Sequence, residues 1–238
     1  MDAEYRKLYR ELFEKHWWWR ARSEWITETL RRLRPAQGWP TILDVGCGEG
    51  LFFERLAEFG EVEGVEVAEQ LPPDGGAWRG RIHVGPFDES FQPGKQYSLI
   101  LMLDVLEHLQ DPAAALRKVR GLLEPDGLFL ATVPAFMSLW TQHDVINQHF
   151  ARYSKRTLRP LAYAANLQIV EDSYFFQWPS PLKLMMHGLE RVANMKVKMA
   201  SVPPPWINEP LYWLARAEQA TLGRLPVPFG TSLMMVAR

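Results

Sequence analysis

The feature that most constrains the fold is a mostly apolar segment that leads directly into a glycine-rich turn. Residues 41–45 form this segment, and Gly46, Gly48 and Gly50 follow at alternate positions. Because glycine has no side chain, a ligand can approach the backbone of such a turn closely. A dinucleotide-binding fingerprint places its third glycine three residues after the second, where this chain has Leu51. The turn therefore predicts a ligand at the end of a strand and disfavours a pyrophosphate.

Acidic residues surround this turn. Asp44 precedes the first glycine and Glu49 lies within the turn, so both would repel a phosphate. A ligand that carries an ammonium and a sulfonium cation suits them better. Glu66 lies 20 residues after Gly46, at the end of the predicted strand 62–67. An acidic residue at that place can accept hydrogen bonds from both hydroxyls of a ribose.

Short apolar runs alternate with helical patterns through the centre of the chain. The strand candidates are 41–45, 62–67, 81–84, 97–103, 128–133, 168–176 and 232–236. The helix candidates between them are 50–59, 112–123 and 158–166. Asp111 suits the N-cap of the second helix, because Pro112 follows it. This alternation predicts an α/β fold with a mainly parallel sheet.

Helical patterns also stand outside this core. Residues 5–33 contain no Pro or Gly and repeat apolar residues at helical spacing, which predicts one N-terminal helix. Two more patterns, 182–200 and 206–222, lie between the last two strands and form an insertion. We expect one domain, 1–238, with four parts: an N-terminal helical segment 1–34, a cofactor-binding core 41–176, a helical insertion or cap 178–229, and the last strand 230–238.

Composition limits the class of protein. The 238 residues are 47% hydrophobic, which supports one substantial core. Lys and Arg total 27 and Asp and Glu total 28, so no charge excess favours nucleic acid as a partner. Cys47 has no partner for a disulfide, and residues 1–15 are too charged for a signal peptide. The apolar run 128–140 is shorter than the roughly 20 residues of a membrane-spanning helix. We therefore expect a cytoplasmic protein without a transmembrane segment.

With these motifs, the sequence resembles the class I S-adenosylmethionine-dependent methyltransferases, which carry an acidic-x-Gly-x-Gly-x-Gly loop after the first strand. Residues 98–109, followed by Asp111 and Pro112, are similar to the family's fourth strand and the segment after it. Residues 122–127 are similar to the approach to its fifth strand. The resemblance covers residues 41–175 and the last strand, and its motifs arrive in the family's order.

The resemblance implies a Rossmann-like sheet of seven strands, the last of them antiparallel. It also implies S-adenosylmethionine as the cofactor and methyl transfer to a small-molecule acceptor. The residues that it places around the cofactor are Asp44, Gly46, Gly48, Glu66 and Asp104. The acceptor atom stays open between oxygen, nitrogen and carbon, because these motifs describe only the donor side.

Two further cofactor contacts are expected from the same resemblance. Phe87 stands where the family usually has an acidic residue near adenine, so it either stacks on the adenine or is a core aromatic. Trp17, Trp18 and Trp19 point about 100° apart on a helix and cannot share one face. They therefore cover a neighbouring segment or form a lid. Related methyltransferases have an aromatic run followed by an arginine, which implies that Arg22 pairs with the methionine carboxylate.

A polar segment, 134–157, follows the fifth strand on the side of the sheet where α/β proteins bind ligands. Five of its residues are expected to line the acceptor pocket: His143, Asp144, His149, Arg152 and Tyr153. If the acceptor is a hydroxyl, His143 or His149 is expected to be the general base, because histidine titrates near neutrality. Alternatively, Asp144 and Arg152 pair only to fix the loop. No metal is expected, because three ligand candidates in one loop without a fourth are weak evidence.

Other functions stay open. A nicotinamide-dependent oxidoreductase fits the first strand, its turn and Glu66, although Leu51 counts against it. A noncatalytic cofactor-binding or scaffold subunit would keep the fold and use residues 134–157 for contacts. Glu107 and His108 are expected to support the wall of the site. The insertion 178–229 has three candidate uses: a cap over the active site, a homodimer surface and a membrane-contact surface.

Overall fold

The structure is a computed structural model that describes residues 3–71, 76–181 and 200–238, and within them seven strands form one sheet. The strands are β1 (Thr41–Val45), β2 (Glu61–Glu66), β3 (Ile82–Val84), β4 (Tyr97–Leu103), β5 (Leu123–Pro134), β6 (Ile169–Phe175) and β7 (Ser232–Ala237). All except β5 begin within one residue of the predicted position. The alternation of apolar runs was therefore sufficient to place them.

The order of the strands creates a binding edge. The sheet runs β3-β2-β1-β4-β5-β7-β6, and its first five strands are parallel to one another. β7 is antiparallel to both β5 and β6, as predicted for the last strand. The order of the strands reverses between β1 and β4: β2 and β3 are added on one side of β1, and β4 and β5 on the other. In open α/β sheets the crevice at such a reversal, beside the carboxyl ends of the strands, is where ligands bind.

Helices cover both faces of the sheet. They are α1 (Ala3–Lys15), α2 (Trp17–Leu33), α3 (Phe53–Leu56), α4 (Pro112–Leu122), α5 (Gln142–Ile146), α6 (Lys155–Ala164) and α7 (Pro205–Thr221). α4 and α6 bury Leu116 and Ala162 against one face, and α2 and α7 bury Ile26 and Ala215 against the other. The Asp111 side chain accepts a hydrogen bond from the backbone of α4, which confirms the predicted N-cap.

The prediction of a single N-terminal helix is wrong, because the helix breaks at His16. His16 has an extended backbone, and its Nδ1 accepts a hydrogen bond from the Trp18 amide at 3.1 Å. Asn208 bridges the break: its amide group donates to the Lys15 carbonyl at 2.8 Å and accepts from the Trp17 amide at 2.9 Å. A residue far along the chain thus satisfies the backbone groups that the break releases.

Two other boundaries differ from the prediction. The helix expected over 50–59 is only the short α3, because the glycine turn continues through Phe52 before helical bonding begins. β5 begins at Leu123, ahead of the turn expected at 125–127. Tyr97 pairs with Leu123 and Leu99 with Leu128, so the extra residues form an irregularity inside the strand pair instead of preceding it.

The helical insertion was predicted from two patterns. The second pattern, 206–222, is confirmed as α7, which packs on α2. The first, 182–200, lies outside the described residues except for its last position. In the described part of the chain, no helix combines the length and the apolar character that crossing a membrane would need.

Candidate active site

The glycine turn after β1 has the backbone shape that only glycine adopts easily. Gly46 has a φ of 71°, and a Cβ added to it would lie 2.6 Å from a methyl group of Val105. Gly48 also has a positive φ, but a Cβ there would meet nothing within 4 Å. Gly46 is therefore required by local packing, whereas Gly48 faces open space in which a ligand can lie against the backbone.

Glu66 stands at the mouth of this turn. Its carboxylate accepts hydrogen bonds from the Gly48 amide at 2.9 Å and from the Val67 amide at 2.7 Å. Burial raises the pKa of Glu66, and the two amides oppose that rise. Each carboxylate oxygen can accept further hydrogen bonds. The ribose contact expected of Glu66 stays a prediction.

Asp44 is buried directly beneath the turn. Burial raises its pKa to about 7; the positive charge of Arg22 works against this rise, and the negative charge of Glu66 adds to it. A buried carboxyl group in this state gains from a cationic ligand, because a nearby positive charge favours the ionised form. The donor side of the site thus offers negative charge where the sequence predicted a cationic cofactor.

Arg22 and Asp104 meet at the ends of two neighbouring strands. Arg22 Nη2 lies 2.8 Å from Asp104 Oδ2 and donates to Thr132 Oγ1 at 2.9 Å, while Thr132 Oγ1 donates to Asp104 Oδ1 at 3.1 Å. Asp104 has a φ of 59°, which is unusual for a residue other than glycine. Arg22 Nε is buried and has no hydrogen-bond partner among the described residues. Arg22 Nε is therefore a hydrogen-bond donor that the described residues leave unused.

The tryptophan run holds the N-terminal helices over this edge of the sheet. Trp17 and Trp18 both contact Phe176, at ring centroid distances of 5.9 and 5.5 Å. Trp19 packs edge-on against Tyr9 of α1 at 6.4 Å. Trp17 and Trp18 thus share one neighbour and Trp19 has another, and the run joins α2 to α1 and to the end of β6.

The helix α1 is tied directly to the glycine turn. Arg10 Nε and Nη2 donate to the two carboxylate oxygens of Glu49 at 3.0 and 2.7 Å. This bidentate pair places α1 beside the candidate cofactor site. From the sequence, Glu49 was expected only to repel phosphate, and no spacing along the chain indicated Arg10 as its partner.

Asp144 organises the segment after β5. Its Oδ2 accepts from the Thr141 amide at 2.7 Å, and its Oδ1 lies 2.9 Å from His149 Nδ1 and 2.7 Å from Arg152 Nε. Burial by itself raises the pKa of Asp144, but the hydrogen bonds from His149 and Arg152 and the charge of Arg152 hold it well below its usual range. Asp144 is therefore an ionised carboxylate whose oxygens are engaged within the loop.

Arg152 and Tyr153 lie beneath the same loop. Arg152 is buried and also donates to the Ala135 carbonyl at 3.2 Å. The Tyr153 hydroxyl donates to the Leu106 carbonyl at 3.0 Å, and burial raises the pKa of Tyr153 to about 12. These contacts tie the loop to the segment that follows β4. Asp144 and Arg152 pair with each other, which is the contact that the loop-fixing alternative requires.

The two predicted bases differ in their surroundings. His143 is exposed on α5, whereas His149 is half-buried and its ring packs edge-on against His108 at 4.6 Å. Because His149 Nδ1 is bonded to Asp144, its Nε2 is the nitrogen that can carry a lone pair. The structure thus gives His149 the orienting carboxylate that a histidine base needs.

A cluster beside His149 was missed at the level of sequence. One carboxylate oxygen of Glu107 and one ring nitrogen each of His108 and His149 all lie within 4.8 Å of one another. Glu107 is 1% exposed, and its Oε2 has no hydrogen-bond partner among the described residues. Burial, together with the charge of Asp104, raises the pKa of Glu107 well above its usual range. The adjacent Glu107 and His108 were visible in the sequence, but only the fold brings His149 to them.

Phe87 packs on the α4 side of the sheet. Its ring is 5.7 Å from that of Phe91, and Lys118 Nζ is 5.8 Å from its centroid. It is partly buried against the core. This is the packing expected of a core aromatic beside a turn, and an adenine contact by Phe87 stays a prediction.

The sequence matches a known family and several curated relatives. Residues 10–172 match a family model described as a methyltransferase domain. The ubiquinone biosynthesis O-methyltransferase of Azorhizobium caulinodans is 33% identical over 109 residues, which is 43% of either chain. The enzyme of that name from Pseudomonas paraeruginosa is 31% identical over 142 residues, covering 50% of this chain and 58% of the relative. The chain therefore spans about half the length of the curated relatives it matches.

The fold has solved counterparts as well. The crystal structure of a SAM-dependent methyltransferase from Archaeoglobus fulgidus matches with a TM-score of 0.59 over 99% of both chains, at 16% identity. At this identity the likeness concerns the fold alone. Together with the strand order, it confirms the predicted Rossmann-like sheet of seven strands.

Proposed function

Because this chain belongs to the methyltransferase domain family, we propose that it transfers a methyl group from S-adenosylmethionine to a hydroxyl oxygen of a small molecule. The observation that carries the proposal is the pair of His149 and Asp144, 2.9 Å apart, which lies at the same sheet edge as the glycine turn. The ubiquinone relatives are named O-methyltransferases, and a histidine oriented by a carboxylate suits an acceptor that must lose a proton.

S-adenosylmethionine is the cofactor expected from the sequence, and family membership confirms that expectation. In the proposed arrangement it lies against Gly46 and Gly48, and Glu66 accepts the ribose hydroxyls. Asp44 supplies the negative charge that its cationic groups need. Arg22 uses its remaining donor on the methionine carboxylate, and Asp104 holds Arg22 in place.

The acceptor side follows from the loop after β5. As the methyl group arrives, its bond to sulfur breaks and a bond to the acceptor oxygen forms, which leaves S-adenosylhomocysteine. The hydroxyl proton passes to Nε2 of His149, and Asp144 stabilises the cation that results. Arg152 and Tyr153 hold the loop so that acceptor and sulfonium stay in line.

Replacing each histidine of the loop tests this assignment. His149→Ala should lower the methyl-transfer rate by about 10²- to 10⁴-fold, the usual contribution of a general base, with little change in S-adenosylhomocysteine affinity. His143→Ala is the matched control, because His143 is exposed on the same loop. Turnover is measured with radiolabelled cofactor against a panel of hydroxylated metabolites. Full turnover by both variants would show that neither histidine is the base.

The two alternative functions, an oxidoreductase and a noncatalytic subunit, predict different outcomes. An oxidoreductase would bind NAD, which the position of Leu51 and the family match both disfavour. A noncatalytic subunit would bind S-adenosylmethionine and transfer nothing to any acceptor in the panel. The carboxylate-oriented His149 favours the catalytic reading, because a scaffold has no need of an oriented base.

The proposal places the reaction in the cytoplasm with a small-molecule acceptor and no nucleic acid. Contact of the insertion 178–229 with a second copy or a membrane surface is a further hypothesis. It rests on Trp206 and Trp213, which α7 exposes to 76% and 65%. Analytical ultracentrifugation tests the first contact and sedimentation with phospholipid vesicles the second. If the protein is a monomer and does not sediment with the vesicles, both contacts are ruled out and the cap is the remaining use of the insertion.

A further inference from the structure

We infer that Thr132 is a positioning residue, whose hydroxyl group holds Arg22 in the orientation that the amino-acid end of the cofactor requires. Thr132 lies near the end of β5, and its Oγ1 accepts a hydrogen bond from Arg22 Nη2 at 2.9 Å. The same hydroxyl donates to Asp104 Oδ1 at 3.1 Å. The inference rests on the proposed function, because it takes the methionine carboxylate as the partner of Arg22.

Thr132 is a polar side chain in an otherwise apolar part of the sheet. Every residue in the stretch 127–133 of β5 is buried, and Thr132 itself is 0% exposed. Its neighbours along the strand are Ala131 and Val133. Burying a hydroxyl group costs free energy unless it is hydrogen-bonded, and a valine would fill the same space without that cost. The hydroxyl group therefore has a use other than packing.

The side chains of Arg22, Asp104 and Thr132 form a closed ring of contacts. Arg22 Nη2 lies 2.8 Å from Asp104 Oδ2 as well as 2.9 Å from Thr132 Oγ1, so both hydrogens of this nitrogen have partners. Because the hydroxyl accepts from Arg22, its own proton is available for Asp104. Rotation of the guanidinium group would break both contacts of Nη2 at once. The ring therefore fixes the guanidinium plane more firmly than the ion pair alone.

The backbone of Thr132 also holds Asp104. The Asp104 amide donates to the Thr132 carbonyl at 2.9 Å, next to the pairing of Leu103 with Thr132 between β4 and β5. Asp104 has a φ of 59°, which costs free energy in a residue other than glycine. Thr132 thus contacts both the backbone and the carboxylate of Asp104, and it stabilises this conformation together with the ion pair.

The orientation of Arg22 matters because other carboxyl groups lie within the range of its charge. Burial raises the pKa of Asp44 and of Glu107, and the charge of Arg22 opposes the rise in both. A guanidinium group without a fixed direction would be drawn toward these groups as well as toward Asp104. Arg22 Nε is buried and has no hydrogen-bond partner among the described residues. The Thr132 hydroxyl keeps Nη2 on Asp104, which leaves Nε for the carboxylate of the ligand.

A purely structural hydroxyl group would behave differently. Its contacts would serve only to join α2 to β5, and their loss would weaken the binding of every cofactor analogue alike. A positioning role affects only analogues that carry the amino-acid group. S-adenosylhomocysteine carries this group, whereas methylthioadenosine has the same nucleoside and sulfur without it. Comparing the two ligands therefore separates the two roles.

Calorimetric titration of the chain with both ligands is the test. Thr132→Val removes the hydroxyl group and keeps the shape of the side chain. It should weaken S-adenosylhomocysteine binding by roughly 10-fold, because a hydrogen bond to a charged group is lost, and leave methylthioadenosine binding unchanged. Thr132→Ser keeps the hydroxyl group and should restore the affinity. Thr27→Val is the matched control, because Thr27 is buried in α2 and its hydroxyl donates only to the Ser23 carbonyl, at 2.8 Å.

A double variant tests whether Thr132 acts through Arg22. In the Arg22→Gln background, Thr132→Val should weaken S-adenosylhomocysteine binding no further, because the group that the hydroxyl positions is absent. Thermal unfolding checks that each variant is folded. If Thr132→Val does not fold, Thr132→Ala takes its place in both experiments, since it adds no atom to the core.

Three results would each overturn the inference: equal losses for the two ligands, no loss for S-adenosylhomocysteine, or additive losses in the double variant. Failure of the proposed function looks different. If the unchanged protein binds no S-adenosylhomocysteine, both the proposed function and the role of Thr132 are wrong. If it binds S-adenosylhomocysteine and the Thr132 variants bind equally well, only the role of Thr132 is wrong.

Discussion

The guanidinium group of Arg22 lies 2.8 Å from the carboxylate of Asp104, and this contact joins α2 to the end of β4. Both residues were expected at the cofactor from the resemblance, but their pairing was not. The ion pair is shielded, since only 8% of the Arg22 side chain is exposed. It sets the N-terminal helices against the carboxyl edge of the sheet, where the glycine turn also lies.

Replacing Arg22 by Gln should therefore weaken cofactor binding. We expect S-adenosylhomocysteine affinity to fall by roughly 10- to 100-fold, because a charged hydrogen bond to the methionine carboxylate is lost. Isothermal titration calorimetry measures the change. Arg20→Gln is the matched control, because Arg20 pairs with Glu209 on the insertion instead. Equal affinities for the two variants would remove Arg22 from the site.

Glu66→Ala should weaken S-adenosylhomocysteine binding by about 1–3 kcal/mol, because the ribose hydroxyls lose a charged acceptor. The exposed Glu61 at the start of the same strand supplies a control, Glu61→Ala, which should bind normally. Thermal unfolding of both variants checks that the fold survives. An unchanged affinity in the Glu66 variant would refute the assignment of the ribose to this residue.

Cofactor binding should also depend on pH through Asp44. Burial raises its pKa to about 7, so the carboxyl group is mostly neutral below that pH. A cationic ligand binds the ionised carboxylate more strongly than the neutral group. Binding of S-adenosylhomocysteine, whose amino group is positive, should therefore strengthen between pH 6 and pH 7.5. The expected gain is roughly fivefold to tenfold, as the carboxyl group loses its proton. Asp44→Asn should bind more weakly and lose this dependence; a pH-independent affinity in the unchanged protein would contradict the role of Asp44.

Removal of Asp144 should destabilise the protein. In Asp144→Ala the buried Arg152 loses its carboxylate, and breaking a buried pair in this way costs about 3–5 kcal/mol. Asp126→Ala, at an exposed position in β5, should change the free energy of unfolding by no more than about 0.5 kcal/mol. Urea denaturation followed by circular dichroism compares the two. Similar midpoints would show that the loop does not depend on this pair.

Local patterns predicted the sheet well, because each strand is an apolar run bounded by turn residues. The shape of the glycine turn and the position of Glu66 beside it could also be predicted from the sequence, since both depend on short spacings along the chain. The break at His16 was not, because Asn208 stabilises it from α7. A helical pattern records which face is apolar and carries no information on a side chain that binds the backbone from elsewhere.

The acceptor side was predicted only in outline for the same reason. His149 and Asp144 are five residues apart, so a loop pattern suggested both. Glu107 meets His149 across the end of the sheet, and no spacing connects them. Burial decides the state of Glu107 as well, and burial is a property of the fold.

Calorimetry of the purified chain with S-adenosylhomocysteine and with NAD tests the central claim most directly. The account predicts that S-adenosylhomocysteine binds with roughly micromolar affinity, or about -8 kcal/mol, and that NAD neither binds nor competes. The turn at Gly46 and Gly48, with Asp44 beneath it, is the basis for this expectation. Binding of NAD with no heat from S-adenosylhomocysteine would contradict it.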